Sequence, residues 1–502
     1  MTVGSIRRRD PLTYPLACAR LPMNTSELSV AGIGAEESRR WWALVLLCMG
    51  VLMVAINTTV VSVALGSIRL DLGFSDASLV WIVNAHLATF GGFLLLGARL
   101  GDLYGPRKTF LVGIATFTLA ALACGLSTSP ALLIASRAVQ GAGGAVISAT
   151  ALAQIATLFE DGPKRTKALG AYIFVSASGG SIGLLLGGVL TSTLTWPWIF
   201  FANVPVGLCV YVLCIALLPA DTAHTPRKRA DVPGALTVTA ALILALYAIA
   251  NSQELGWDSV QTLASLLIAA LMLVAFLLIE ARAHAPLVPL SVFRERNLAV
   301  ASLIGVPLAA AVLAWRYISA LYLQLVLQLD PLQVALAFLP ANVLSAVISL
   351  AVCPRMVTRF GTRRPFAAGM VIASIGLALL GQAPVNADMT LNVVPGMLLV
   401  GLGTSMAYNP LYVSAMNCAD SRTSGIASGI LNTSLSMGGV VGLSALATLA
   451  AARTGQLLES GALLQPALSS GYQLALYGSA ILATLAAVAG AILMREERLE
   501  VS

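Results

Sequence analysis

The sequence predicts an all-α polytopic membrane protein with about fourteen transmembrane helices. Of its 502 residues, 58% are hydrophobic and only 10% are charged, and the mean hydropathy is +0.88. A soluble domain is about 45–50% apolar and about 25% charged, so in water much of this chain's apolar surface would stay uncovered. A second observation is a series of apolar runs close to the ~20 residues that a helix needs to cross a hydrocarbon core. The third is that basic residues between the runs fall on alternate connections, as the retention of Lys and Arg on the cytoplasmic side requires.

The runs lie near 43–66, 79–99, 109–127, 131–158, 168–192, 199–219, 233–251, 261–280, 299–326, 332–353, 366–384, 391–416, 425–451 and 472–494. Residues 1–40 carry charge and proline but no apolar core ending in small residues. They read as a disordered cytoplasmic segment rather than a cleaved signal, with Met23 as an alternative start. With the N-terminus inside, Arg107, Lys164, Arg227, Arg294, Arg363, Arg422 and Arg495 mark successive cytoplasmic connections. Of the 29 basic residues, only Arg69 and Arg453 fall on the opposite side, while Arg137 and Arg316 lie within runs. A missing or added span would scramble this alternation downstream, so both termini are expected in the cytoplasm. Trp81, Trp196, Trp198 and Trp257 fall at outer boundaries and Trp41 and Trp42 at the first inner one, where amphipathic rings settle.

The composition also excludes function classes. Seven cysteines occur without CxxC spacing, which supports neither a disulfide framework nor a zinc site. The three histidines are single and scattered, so the HExxH pair of a metalloprotease is absent, as is the GxxxxGK[ST] loop of an ATP-driven pump. The net charge of +7 resides in the connectors, which points to membrane topology rather than nucleic acid.

Three segments carry functional patterns. The connection GARLGDLYGPRK (97–108) sets Gly101 and Gly105 for a tight turn. There Asp102 can meet the positive end of a helix or a nearby Arg, and Arg107 and Lys108 hold the turn on the inner face. A degenerate copy, RMVTRFGTRR (355–364), indicates an internal duplication of the kind transporters use to alternate access around a midplane site. In the fourth run, Arg137, Gln140, Gly141 and Gly144 recur at i, i+3, i+4 and i+7 and share one helical face. An Arg inside a membrane costs several kcal/mol without partners or water, which makes Arg137 a functional candidate by default. In the fifth run, Gly179, Gly183 and Gly187, flanked by Gly180 and Gly188, form a small-residue stripe for close helix packing.

The 97–108 turn resembles the signature between helices two and three of the major facilitator superfamily. The chain from about 41 to 494 resembles that superfamily's fourteen-helix drug–proton antiporter branch, the multidrug efflux transporters. NTTVVSVALGSI (57–68), RAVQGAGGA (137–145), GSIGLLLGG (180–188), WPWIFFANVPVG (196–207), DVPGA (231–235), PLVPLSVFRERN (286–297) and SGIASGILNTS (424–434) match branch landmarks in order. The resemblance implies a major facilitator fold: two six-helix bundles, at 41–219 and 299–494, with two extra central helices and linkers at 220–298 and a cytoplasmic tail at 495–502. It assigns Arg137 to proton coupling or the substrate path, and the glycine stripe to sealing the cytoplasmic side.

The departures from that pattern are informative. Asn57 stands where the branch has an ionisable Asp, Ser62 and Gly66 replace Asn and Pro, and Leu184 replaces a kinking Pro. His86 stands where Tyr is usual, and an imidazole that titrates near neutral pH could carry a proton in place of the missing carboxylate. All 22 acidic residues fall in loops, termini or helix ends, with Asp102 and Glu280 nearest the membrane. A cavity so built is formally positive and favours neutral, zwitterionic or anionic substrates. Arg316 is either an anion or substrate contact or a snorkelling residue. Gln324, Asn409, Asn432 and Ser436 add polar groups to the later spans, and Asn409-Pro410 could break a helix.

The expected function is secondary active efflux of small lipophilic drugs or antibiotics by proton antiport and alternating access. The proton gradient is the energy source, with no cofactor. The expected partners are a lipophilic small molecule, protons and the lipid bilayer, without nucleic acid, and the expected state is a monomer. The alternative is export of an endogenous metabolite with altered or absent proton coupling.

Overall fold

The computed structural model describes residues 25–159, 163–219, 221, 232–256, 258–282, 295–416 and 424–495. Among these, all regular structure is helical. Helices α1 (Thr25–Val60), α2 (Leu65–Leu72), α3 (Asp76–Leu79), α4 (Trp81–Tyr104), α5 (Pro106–Gly125), α6 (Pro130–Leu158), α7 (Pro163–Thr193), α8 (Trp198–Phe201) and α9 (Asn203–Leu217) form the first half. Helices α10 (Val232–Leu255) and α11 (Val260–Arg282) follow. The second half comprises α12 (Arg296–Leu321), α13 (Pro331–Val347), α14 (Cys353–Phe360), α15 (Arg363–Leu380), α16 (Val394–Met416), α17 (Ser424–Glu459) and α18 (Leu464–Leu493). The described residues divide after Trp42 into two units, 25–42 and 43–495. Residues 25–40, expected to be disordered, are helical within α1; residues 1–24 lie outside the described residues.

Local chemistry sets the helix boundaries. Pro130 opens α6 behind Ser129, whose hydroxyl accepts from the Leu132 amide, and Pro331 opens α13 inside a capping box of Asp330 and Gln333. Proline loses nothing at these first-turn positions, where its missing N–H has no intrahelical partner anyway. The two duplicated turns share a backbone device: Gly105 sits at φ 95° and Gly361 at φ 74°, a region that side chains disfavour. Eleven helices among the described residues are long and apolar enough to cross a membrane. The remaining expected spans, at 79–99, 168–192 and 233–251, coincide with α4, α7 and α10.

In the first half α6 packs between α4 and α5, with α9 against α5; in the second, α12 packs on α17 and α18, and α15 on α16 and α18. The halves meet through α7 on α13 and α4 on α17. Helix α10 rests on both α4 and α17, one from each half, while α11 packs chiefly on α10. Leu263, Leu267, Leu271 and Leu278 of α11 are exposed, as expected of a helix whose solvent is lipid.

Two sequence expectations are corrected. Helix α16 runs unbroken through Pro410, so Asn409-Pro410 does not end it. A freed carbonyl is found instead just after α13, where a π-helical turn covers Ile348–Val352. The i+5 partner of Ser349 in such a turn would be Pro354, which has no N–H. Asn409 Nδ2 takes that carbonyl at 3.1 Å and the Ser349 hydroxyl at 2.8 Å. Trp196, expected as an interfacial anchor, is buried and donates to Asp71 Oδ2 at 2.7 Å; Trp257 lies outside the described residues.

Candidate functional site

The site begins with a buried cation. Arg137, on α6, is 1% exposed. Its Nε donates to the Ile82 carbonyl at 2.9 Å, and its Nη1 donates to Asn57 Oδ1 and to Gln140 Oε1 at 2.7 Å. The Phe200 ring centroid lies 5.9 Å from the guanidinium carbon. These partners come from α1, α4, α6 and α8, so one side chain ties the first half together. All are uncharged, and burial of a cation is tolerable only with such dense hydrogen bonding. Asn57 and Gln140 turn their oxygens to Arg137, which leaves Asn57 Nδ2 and Gln140 Nε2 without partners. His86, on α4, is fully buried with its ring turned to the main chain of Arg137, neither ring nitrogen meets a partner at full hydrogen-bond geometry, and the ring stacks on Phe90 at 6.4 Å.

The glycine stripe divides between two tasks. A Cβ on Gly183 would meet the Ile56 carbonyl at 2.6 Å, and one on Gly187 would meet the Val60 carbonyl at 2.7 Å; Gly179 faces Ala55. These three press α7 onto α1, whereas Gly188 faces Pro331 and Leu332 of α13 in the other half. With Leu184 in place of Pro, α7 is one continuous helix.

Helix α1 ends in a 3-10 turn at Val61–Val63. There the Gly66 N–H donates to Gln324 Oε1 at 2.7 Å, while Gln324 Nε2 donates to the Ser62 carbonyl at 3.1 Å. Ser62 and Gly66 are four residues apart and would bond each other in an α-helix. The Gln324 amide is inserted between them. Gln324 itself lies in a π-helical turn, Tyr322–Val326. Expected to line a cavity, Gln324 instead joins the two halves. Nearby, Asn84 Nδ2 donates to Ser444 Oγ at 2.6 Å, and Ser436 sits against Gly91. The Gln324 bonds lie at the α1 and α12 ends that lead to the chain turns at Gly73 and Gln328, and Asn84 lies in the first turn of α4, the end away from Gly105.

At that opposite end, Asp221 was not foreseen. Its carboxylate accepts from the backbone amides of Arg107 at 3.0 Å and Lys108 at 3.2 Å, the open N-terminus of α5. Arg107 Nη2 also donates to the Ile215 carbonyl at 2.6 Å. An anion at a helix N-terminus meets both free N–H groups and the positive dipole end. Asp221 caps α5 in this way, and its position straight after the α9 run was the available signal. Gly101 is buried against Thr150; the Asp102 side chain lies outside the described residues.

A second polar group lies between the halves. Arg316 on α12 is partly exposed, with its guanidinium carbon 5.9 Å from the Trp315 ring. A Cβ on Gly180 of α7 would lie 3.8 Å from its Nη1. Tyr408 and Tyr412, one turn apart on α16, lie within electrostatic reach of Arg316 and Tyr172 respectively. Tyr412 Oη donates to Asn432 Oδ1 at 2.8 Å. Arg316 therefore does not join Arg137, and the sequence candidates fall into two centres and a bridge.

Two packed halves related by duplicated turns, with charged and polar side chains held between them, define a multi-pass membrane carrier. The sequence profile of the Major Facilitator Superfamily matches residues 47–443, and the chain belongs to that family. It is 36% identical over 429 residues to the cephamycin export protein CmcT of Amycolatopsis lactamdurans, covering 85% of this chain and 88% of that one. It is 35% identical over 427 residues to the puromycin resistance protein pur8 of Streptomyces alboniger, covering 84% of each. Among solved structures, an auto-inhibited POT family peptide transporter shares the fold at TM-score 0.64 and 17% identity, covering 91% of this chain and 98% of that one.

Proposed function

We propose that this chain is a secondary active exporter of small lipophilic drugs or antibiotics across the bacterial cytoplasmic membrane. It works by alternating access and proton antiport, as a monomer of fourteen spans with both termini in the cytoplasm, and catalyses no covalent chemistry. The export and resistance relatives support the substrate class. The observation that carries the transport mechanism is the Gln324 bridge. One side chain from the second half reaches the first through two replaceable hydrogen bonds, beside the Asn84–Ser444 bond, at an end opposite the Asp221-braced turn. Breaking such a small polar contact opens one face without unfolding either half, as rigid-body rocking requires.

In this reading the Arg137 centre couples to protons. His86, buried with neither ring nitrogen at full hydrogen-bond geometry, is the group a proton or water reaches in another state of the cycle. The wholly neutral partners of Arg137 favour a second reading, in which coupling is altered or absent and the cargo is an endogenous metabolite. Expression in an efflux-deficient bacterium, with resistance and accumulation measured across diverse compounds with and without a protonophore, tests both. Protonophore-sensitive loss of accumulation supports antiport. Export that persists with protonophore supports the second reading, and no export of any compound overturns both.

A further inference from the structure

Arg316 stands in a setting unlike that of the other intramembrane arginine. Arg137 spends its donors on three oxygens. Arg316 has no hydrogen-bond partner among the described residues. Its one ring contact, over the Trp315 ring of the same helix, uses no N–H. An arginine has five N–H donors and cannot shed its proton in a protein. Leaving them idle within a membrane-spanning helix is costly unless something polar arrives.

The surroundings say what arrives. Arg316 is partly exposed, and Gly180 of the other half lies beside it: a Cβ there would meet Thr59 Cγ2 at 3.6 Å and Arg316 Nη1 at 3.8 Å. The guanidinium therefore lies at the seam between the halves, against a residue that brings no side chain of its own. The Trp315 ring lies under the guanidinium and Tyr408 of α16 is within its electrostatic reach; one turn on, Tyr412 is oriented by Asn432 and lies within reach of Tyr172 from the other half. No carboxylate is recorded against Arg316, and the partners of Arg137 are neutral as well, so the local field is positive on both sides. A planar fork beside aromatic faces matches a carboxylate carried on a flat ring system, which it would hold by paired, charge-assisted hydrogen bonds.

We infer that Arg316 is the anchor of an anion subsite between the two halves, and that the chain selects aromatic organic acids through it. The inference rests on the exporter reading for its transport meaning, but the subsite itself is a property of binding.

The test is binding of radiolabelled 2-naphthoate, ionised at neutral pH, and of its neutral counterpart 2-naphthamide to the purified full chain in phosphatidylcholine nanodiscs, with empty nanodiscs subtracted. Wild type is expected to bind the acid more tightly than the amide. Arg316→Gln is expected to weaken the acid by at least about tenfold, the worth of one charge-assisted hydrogen bond, and to leave the amide unchanged. Arg316→Lys, which keeps the charge but not the fork, is expected to fall between. Retained amide binding shows that the Gln variant is folded; should it not fold, the Lys variant carries the comparison. Equal affinity of wild type for acid and amide, no acid binding, or undiminished acid binding by both variants overturns the inference. So does displacement of naphthoate by added phosphatidylglycerol, which would give the guanidinium to a lipid headgroup. None of these results depends on export. Failure of the exporter reading would appear separately, as acid binding without any change in cellular accumulation.

Discussion

Gln324 and Gly66, 258 residues apart in sequence, are joined by a buried hydrogen bond of 2.7 Å that stands where a helical backbone bond would be. The same side chain returns a donor to Ser62 at 3.1 Å. A glutamine amide carries both a donor and an acceptor, and here both are used across the seam between the halves.

Gln324→Leu removes both bonds while keeping comparable bulk. Each is worth about 0.5–1.5 kcal/mol net, so the population closed at this end is expected to fall by roughly 5- to 150-fold relative to the open one. Spin labels at the exposed Leu70 and Leu391, with native cysteines replaced, read this as growth of a longer inter-label distance. An unchanged distance distribution counts against the bridge.

Arg137→Met is expected to abolish transport and lower Tm, because Ile82, Asn57 and Gln140 lose a shared donor and each buried unsatisfied group costs about 1–3 kcal/mol. Asn57→Asp tests the same centre in the other sense. It sets a carboxylate beside the guanidinium and is expected to make export more steeply dependent on the proton gradient. Transport in energised vesicles over a range of pH gradients checks this, and an unaltered dependence removes Asn57 from coupling.

Asp221→Ala takes the carboxylate from the start of α5, with an expected loss of about 1 kcal/mol from the missing cap. Gly105→Ala is expected to cost more, since φ 95° is unfavourable to a side chain and the added methyl would meet the Asp221 carboxylate. Thermal unfolding of the purified variants ranks the two.

Gly183→Ala drives a methyl to 2.6 Å from the Ile56 carbonyl. Separation of α7 from α1 is expected to cost about 1–3 kcal/mol, the usual range for overpacking. The same change at Gly180, where a Cβ would sit in ordinary contact 3.6 Å from Thr59 Cγ2 and 3.8 Å from Arg316 Nη1, is expected to leave Tm unchanged. Equal losses at both positions would contradict the division of the stripe.

The sequence made some of this legible and not the rest, for physical reasons. Helical periodicity placed Arg137 and Gln140 on one face and Gly179, Gly183 and Gly187 in one stripe, because such pairs are fixed by a single helix. The alternation of basic connectors located the Gly105 and Gly361 turns. Gln324 was recognised only as a polar group in a span. Its role depends on a break in α1, some 258 positions away, that no proline or helix-breaking run announces. Asn409 was misjudged because the backbone gap it fills belongs to Pro354 on a different helix, not to its own neighbour Pro410. Asp221 was passed over because a single acid in a connection has no periodicity.

Transport by alternating access requires the Gln324 bridge to be made and broken in each cycle. A Cβ on Gly66 would lie 3.4 Å from the Gln324 Cβ, close to the ~3.5–4.5 Å that a disulfide spans. In a background without native cysteines, the Gly66→Cys/Gln324→Cys pair should cross-link under oxidation. Cross-linking is predicted to stop export in membrane vesicles, and reduction to restore it. Undiminished export by fully cross-linked protein would contradict the account.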